Sequence, residues 1–310
     1  MYRGKLGGKK ALQNKKGRDK IRSKGGGVMT EYREADKRGY LREDFRLFRL
    51  KDAEAPEVGY HYHEFDKLVL VLGGRITYVV EGVTYFLQPW DILLIRRNMI
   101  HRPIIDASEP YERIVIWLGR DYLKERSGDA EPLDQCFDTV RDRGFHLLRT
   151  TPERRIFYMN LLQTLEEALR SREFGAARLA DVLCQQLLIA VNRDVISSHT
   201  ASDAPESYRV DKKVEEILQY IAAHLSEELS VEVLSQKFYL SRYYLMHRFK
   251  AVTGYSLHQY IRQKRLLRAA ELIREGEMVM KAAEQVGFKE YSTFLRAFQA
   301  MFHMSPREFQ

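Results

Sequence analysis

With 310 residues, 45% of them hydrophobic and 30% charged, the chain is long enough for two domains and a connector, each burying its own core. It has no apolar run approaching twenty residues and no segment like a secretory signal, which excludes a spanning helix. Its two cysteines, Cys136 and Cys184, sit among apolar neighbours and exclude a disulfide framework, so a cytoplasmic protein with reduced, buried thiols is expected.

The net charge of +8 is uneven along the chain. Residues 1–28 hold ten Lys or Arg and one Asp, residues 29–207 hold 25 basic and 30 acidic side chains, and residues 208–310 hold 16 and 12. A basic C-terminal region behind a mildly acidic body is the distribution expected if only the former meets phosphate. Residues 1–28 are rich in Gly and Lys and nearly devoid of apolar side chains, so they cannot fold alone and are expected to be disordered. They read either as an arm adding nonspecific, salt-sensitive DNA affinity or as a stretch ahead of a natural start at Met29, where globular composition begins.

From about residue 45 to 117 the texture is of short apolar or alternating runs separated by Gly and Pro, which predicts strands. They cover residues 68–72, 75–80, 83–87, 92–95 and 113–117, and turns so closely spaced suggest a sandwich or small barrel. Within this region His61, His63 and Lys67 are followed by Gly82, by Pro89, Trp90 and Asp91, and then by His101. This constellation resembles the two-part signature of a cupin barrel. The resemblance implies that spaced His, a Glu and a later His on neighbouring strands bind a divalent metal. Here His61, His63 and His101 fall on the His positions, but Lys67 stands where the Glu belongs, and Trp90 stands where a turn Gly is usual.

A cation at that place repels a metal, and strand alternation turns Glu64 and Asp66 to the other face. No metal and no cofactor is therefore expected. A small effector bound through His61, His63, Lys67, Trp90 and His101 is expected instead, with Tyr60 or Tyr78 as further candidates; surface histidines at strand ends are the plainer alternative. The effector domain is placed at residues 29–128.

A helical period returns at residues 151–196, with Ile156, Met159, Leu162, Leu165 and Leu169, then Leu179, Val182, Leu183, Leu187, Ile189 and Val191. Thr151 and Pro152 before Glu153 mark a helix start, and a break near residues 172–177 predicts an antiparallel hairpin packed on the barrel. Residues 129–200 are thus a helical linker, and residues 197–205, small and polar, read as a flexible interdomain connection.

The last hundred residues contain one small unit twice: a short helix, a tight turn and a second helix, the helix-turn-helix grammar. In the first copy Ser241 N-caps a helix whose buried face is Leu245, Phe249 and Val252. In the second the buried face is Phe294, Phe298, Met301 and Phe302. The opposite faces are free for DNA: Arg242, Tyr243, Met246, His247 and Lys250 on one, and Ser292, Thr293 and Arg296 on the other, with Lys289 and Tyr291 at its entrance. Arg and Lys suit phosphates or guanine edges, while Thr, Tyr and Met offer methyl or ring contacts.

The two copies, joined by an amphipathic helix over residues 257–273, resemble the AraC/XylS family of bacterial transcription regulators over residues 208–310; the DNA-binding domain is placed at 201–310. The resemblance implies recognition helices entering successive major grooves, about one turn apart on one face of the duplex. It also implies a cupin-like sensor for a sugar or related metabolite, dimer contacts through the helical linker, and contact with RNA polymerase. Tyr239 and His303 replace family glycines, Ser235 replaces a small Ala, and Gln299 stands where Lys is common. The two former can adopt a left-handed conformation at modest cost.

The expected fold is α+β: an N-terminal cupin-like β-barrel, a helical hairpin and a C-terminal all-α double helix-turn-helix domain. The expected function is that of a sequence-specific DNA-binding transcription regulator, an activator and not an enzyme. Its partners are double-stranded DNA, a small effector and a second copy of the chain, with no membrane. The alternative is a metal-dependent cupin enzyme fused to a DNA-binding module.

Overall fold

The structure, a computed structural model, describes residues 41, 43–52, 58–128, 130–198 and 208–309. The basic tail, the expected start at Met29 and residues 199–205 of the expected linker lie outside the described residues.

Alternating side chains build the N-terminal half. One sheet has five strands, β1 (Phe45–Asp52), β7 (Tyr111–Leu118), β2 (Asp66–Gly73), β5 (Asp91–Ile95) and β8 (Leu147–Arg149), in that spatial order. The other has four, β6 (His101–Ile105), β3 (Ile76–Val80), β4 (Val83–Leu87) and β9 (Tyr208–Val210). Every ladder is antiparallel. Val69, Val71, Leu93, Ile95, Val115 and Trp117 meet Ile76, Tyr78, Val80, Val83, Tyr85 and Leu87 in the core between the sheets.

The intervening residues Leu68, Leu70, Ile92, Leu94, Ile114 and Ile116 point the other way, into a second core formed with the linker helices. A strand buried on both faces must be apolar at consecutive positions, which is why residues 68–72 read as a continuous run.

The helices covering that second core are α1 (Arg120–Arg126), α2 (Gln135–Arg143), α3 (Pro152–Arg170) and α4 (Ala176–Ser197). Thr151 caps α3 by accepting the Arg154 N–H, with Pro152 opening the helix. Of the apolar positions expected to pack on the barrel, Leu162, Leu165, Leu183, Leu187 and Val191 are buried, but Ile156, Met159, Leu169, Leu179, Val182 and Ile189 are exposed. Each helix is apolar over more than the stripe a single sheet can cover.

Four strands, β1, β6, β8 and β9, are not among those expected from the sequence, and the last two lie beyond the expected barrel region. β8 lies beyond the placed end of the effector domain at 128 and extends the first sheet by pairing with β5. β9 immediately precedes the all-α region and pairs with β4, Val83 opposite Val210 and Tyr85 opposite Tyr208. At three residues each, both are too short for periodicity to reveal.

The C-terminal region comprises α5 (Lys212–Ala223), α6 (Val231–Lys237), α7 (Arg242–Thr253), α8 (Leu257–Arg274), α9 (Val279–Gln285) and α10 (Tyr291–Phe302). It holds two small cores. Leu234, Leu245 and Phe249 occupy the first, Ala282, Phe294, Phe298 and Phe302 the second. α8 serves both, with Leu257, Tyr260 and Ile261 in one and Leu266, Leu267, Ala270 and Ile273 in the other. Its start is set by a capping box between Ser256 and Gln259. Among the described residues no helix is long and apolar enough to cross a membrane.

Candidate nucleic-acid interface and effector pocket

Each helix-turn-helix is shaped by local chemistry. Ser230 accepts the Val233 N–H at the start of α6, and Ser241 accepts the Tyr244 N–H at 3.2 Å at the start of α7. Tyr239, in the turn between them, has φ 55°, and His303, at the end of α10, has φ 58°. Both residues therefore adopt the left-handed conformation, at a cost of about 1–2 kcal/mol each.

All ten residues expected to face DNA are exposed: Arg242, Tyr243, Met246, His247 and Lys250 on α7, and Lys289, Tyr291, Ser292, Thr293 and Arg296 at and along α10. Tyr243 and His247, one turn apart, stack with ring centroids 5.9 Å apart. Arg242 pairs with Glu232 of α6 at 3.0 Å. Beside them in sequence, Tyr239 is 95% exposed and Tyr244 half-exposed. Neither was expected, and an aromatic side chain left in water at a turn was the available signal. An α8 of 18 residues is about 27 Å long, comparable to the ~34 Å of one DNA turn that separates successive grooves.

The outer end of the barrel is seated on this double unit. The β3–β4 hairpin turns through Glu81 (φ 45°) and Gly82 (φ 80°), the two left-handed residues of a type I′ turn. It carries the Glu81 carboxylate to Lys264 Nζ of α8 at 2.5 Å, to the Tyr260 hydroxyl and to the Ile100 N–H at 2.8 Å. Lys264 also donates to the Asn98 carbonyl at 3.1 Å, and the Asn98 side-chain amide donates to Glu271 at 2.9 Å. Arg274 reaches Glu64 at 2.5 Å, and Ile100 enters the first core of the DNA-binding half. Tyr60 donates its hydroxyl to the Val252 carbonyl at 2.9 Å and accepts at its own carbonyl from the Tyr255 hydroxyl at 3.1 Å.

Tyr60 thus leaves the group of candidate pocket residues. Its neighbour Gly254 has φ 77°, and a Cβ there would stand 2.0 Å from the Tyr60 ring, so only glycine permits this approach.

Residues 59–65 carry both functions because an extended chain alternates its faces. Tyr60, Tyr62 and Glu64 meet the DNA-binding half, and His61, His63 and Phe65 turn inward. His101 comes from β6 of the opposite sheet, joined to His61 by paired backbone hydrogen bonds. The three imidazoles are mutually in contact, with centroids 4.4–5.2 Å apart. Lys67, on the inward face of β2, is 8% exposed and forms no ion pair with a carboxylate among the described residues.

Burial, reinforced by the Lys67 charge, holds His61 down to about 4 and pushes His63 and His101 well below the usual imidazole range. Burial, followed by the nearby Arg113, holds Lys67 down to about 7. The candidate Tyr78 stacks on His101 at 6.4 Å.

Trp90 requires correction. With φ 74° in the turn before β5, its N–H bonded to the Val71 carbonyl and its carbonyl accepting from Thr150, it packs on the core between the first sheet and the helices. The indole beside the histidines is that of Trp117, 6.0 Å from His63 and stacked on Phe65 at 4.5 Å. Trp117 shares strand parity with the inward Val115, so alternation in β7 could have identified it.

The divalent metal that a cupin signature implies is poorly matched here. Donor nitrogens of His61, His63 and His101 lie within 4.8 Å of one another. The remaining ligand position, however, holds a buried cation, and both nearby carboxylates are committed outward. Glu64 binds Arg274, and Asp66 binds Arg96 and Arg97. The site lacks the anionic donor that would offset Lys67.

Residues 234–310 match the family described as a helix-turn-helix domain, and residues 49–117 match the cupin domain family. The HTH-type transcriptional activator RhaS of Salmonella schwarzengrund (strain CVM19633) is 24% identical over 267 residues, covering 84% of this chain and 89% of the relative. Among solved structures, the C-terminal domain of the two-component response regulator yesN from Fusobacterium nucleatum is 29% identical over 32% of this chain and 98% of its own, with a TM-score of 0.31. ToxT from Vibrio cholerae is 15% identical over 86% of this chain and 98% of its own, with a TM-score of 0.33.

Proposed function

Because this chain belongs to the AraC/XylS family of transcription regulators, with a cupin domain ahead of its paired helix-turn-helix units, we propose that it activates transcription in response to a small effector, a sugar or related metabolite, held by His61, His63, Lys67 and His101. The observation that carries this reading is the double use of residues 59–65, which present histidines to the barrel interior and Tyr60, Tyr62 and Glu64 to the DNA-binding half. A ligand touching His61 or His63 acts on the same backbone that holds α8 and the end of α7. It shifts DNA binding to the extent that it prefers one arrangement of that contact over another.

DNA is gripped by the exposed faces of α7 and α10, through the ten residues expected from the sequence. The exposed apolar stripe of Ile156, Met159, Leu169, Leu179, Val182 and Ile189 is the face through which two copies pair, since an apolar surface of this extent favours burial. In this reading the chain acts in the cytoplasm, contacts RNA polymerase and catalyses no reaction. Lys67 at the ligand position weighs against the metal-dependent enzyme.

The test is a footprint of the full chain on the DNA upstream of its own gene at near-physiological salt. Two protected major-groove segments one turn apart on one face, doubled for a dimer, are expected. Diffuse protection that fades with modest salt would mean that charge alone is being read.

A further inference from the structure

The two helix-turn-helix units are separate small bodies, one closed around Leu234, Leu245 and Phe249, the other around Ala282, Phe294, Phe298 and Phe302. Among the described residues, two elements contribute to both cores. One is α8. The other is the extended segment of the barrel, whose Tyr60 packs on the first core and whose Tyr62 packs on the second. The units touch directly where Arg265 of α8 donates to the carbonyls of Leu225 and Glu227; a Cβ on Gly287 of the second unit would stand 2.7 Å from that Leu225 oxygen. The face of α8 that carries Gln259 and Gln263 is different. There a cleft of about 280 Å³ lies between Tyr255 and the side of α10 formed by Ala297 and Met301, with Tyr62 in its wall. Two bodies in contact on one face of a helix and parted on another can rock about the contact, which opens or closes the cleft and moves α7 relative to α10.

We propose that Tyr60, Tyr62 and Glu64 are positioning residues for DNA recognition: they hold the two units at one separation, so that the barrel selects the spacing between major-groove segments that the chain accepts. This rests on α7 and α10 being the faces that read DNA. Alternate residues of an extended segment share a face and stand about 6.7 Å apart, so these three reach from one unit to the other. Tyr60 is bonded to Val252 and Tyr255 of the first unit at 2.9 and 3.1 Å. Glu64 pairs with Arg274, whose guanidinium lies over the ring of Phe309 in the second at 4.2 Å. The segment is stiff, because paired backbone bonds join His61 to His101 and the Asn98 N–H donates to the His63 carbonyl at 2.8 Å. α8 fixes how far apart the units are along its own axis, and the barrel segment stops them from rocking about it. The barrel thereby has a share in the choice of operator without any of its own residues reaching DNA.

Binding of the full chain is measured by fluorescence anisotropy, at fixed salt, on the footprinted duplex and on two others with one base pair inserted or deleted between the two segments read by one chain. The parent should bind the altered duplexes at least about tenfold more weakly, since one base pair shifts a segment by about 3.4 Å and turns it by about 35°. In Tyr62→Ala and in Glu64→Gln that ratio should fall to about threefold or less, because a frame that is no longer pre-set loses affinity at the preferred spacing and tolerates others. Arg296→Ala, which removes a base contact, should weaken all three duplexes alike and keep the parent ratio. The proposal is overturned if Tyr62→Ala and Glu64→Gln keep that ratio, even with lower affinity throughout, since a merely stabilising contact would act so. It is overturned equally if the parent binds all three duplexes alike. Should Tyr62→Ala lose helix in circular dichroism, Glu64→Gln decides, because it keeps the shape of the side chain and removes only its charge. A parent without two protected segments would overturn the DNA reading itself, whereas two segments with unchanged ratios would reject the positioning role alone.

Discussion

Replacing Glu81 should loosen the two halves of the molecule from one another. Its carboxylate receives Lys264 Nζ at 2.5 Å, the Tyr260 hydroxyl and the Ile100 N–H at 2.8 Å, and the Glu81 and Lys264 side chains are only 16% and 20% exposed. A hydrogen bond to a charged group contributes about 1.5–3 kcal/mol net, but these three share one carboxylate, and Lys264 keeps the Asn98 carbonyl. Removing one member of such a partly buried set therefore costs about 3–5 kcal/mol. Glu81→Gly should cost about 1 kcal/mol less than Glu81→Ala, because φ at this position is 45° and glycine alone adopts it without strain.

The assay is urea unfolding of the full chain followed by two signals. Trp90 and Trp117, its only tryptophans, both report on the barrel, and far-UV circular dichroism is dominated by helix. In the parent the two curves should coincide. In Glu81→Ala they should separate, with a Glu81→Ala/Lys264→Met cycle giving a coupling of about 1–3 kcal/mol. Coincident curves with a loss below about 1 kcal/mol would refute the view that this contact holds the halves together.

Arg296→Ala, and separately Met246→Ala or His247→Ala, should each weaken binding to the footprinted site by about 1–3 kcal/mol. Melting temperature should hardly change, because all three side chains are exposed; fluorescence anisotropy with the operator checks this. Gly254→Ala should destabilise the contact with Tyr60 by more than the ~1 kcal/mol cost of the left-handed backbone, since the added methyl meets the ring at 2.0 Å. Urea unfolding should show partial recovery in Gly254→Ala/Tyr60→Ala. Val182→Glu together with Leu179→Glu should yield monomers in sedimentation equilibrium without loss of helix; unchanged dimers would move the pairing surface elsewhere. His146, 3% exposed and held at about 4 by burial, binds its proton less well folded than unfolded. Stability attributable to it is thus complete above pH 6.5 and lost as pH falls towards 4, by about 3 kcal/mol. His146→Gln should flatten the acid limb of the stability profile accordingly.

What the sequence by itself determined is whatever is written in short-range chemistry. The paired helix-turn-helix units follow from apolar spacing at Leu245 and Phe249 and at Phe294 and Phe298, from Ser241 as a cap, and from polar residues opposite the apolar face. The central strands follow from runs bounded by Gly and Pro. The meeting of His61, His63 and His101 followed from the resemblance to a cupin signature. Tertiary structure decided what depends on partners remote in the chain. Nothing local distinguishes Trp90 from Trp117, yet a positive φ sends one outward while strand parity places the other beside the histidines. The exposed half of the α3 and α4 stripes is apolar like the buried half, and only the width of the sheet separates them. β8 and β9 become strands because β5 and β4 offer free edges, not because three residues have a period. Glu81 reads as a hairpin turn residue, and it becomes the joint between two domains only when Tyr260 and Lys264, some 180 positions away, arrive against it. Periodicity and capping act over a few residues, whereas burial and charge pairing are settled only once the chain has closed on itself.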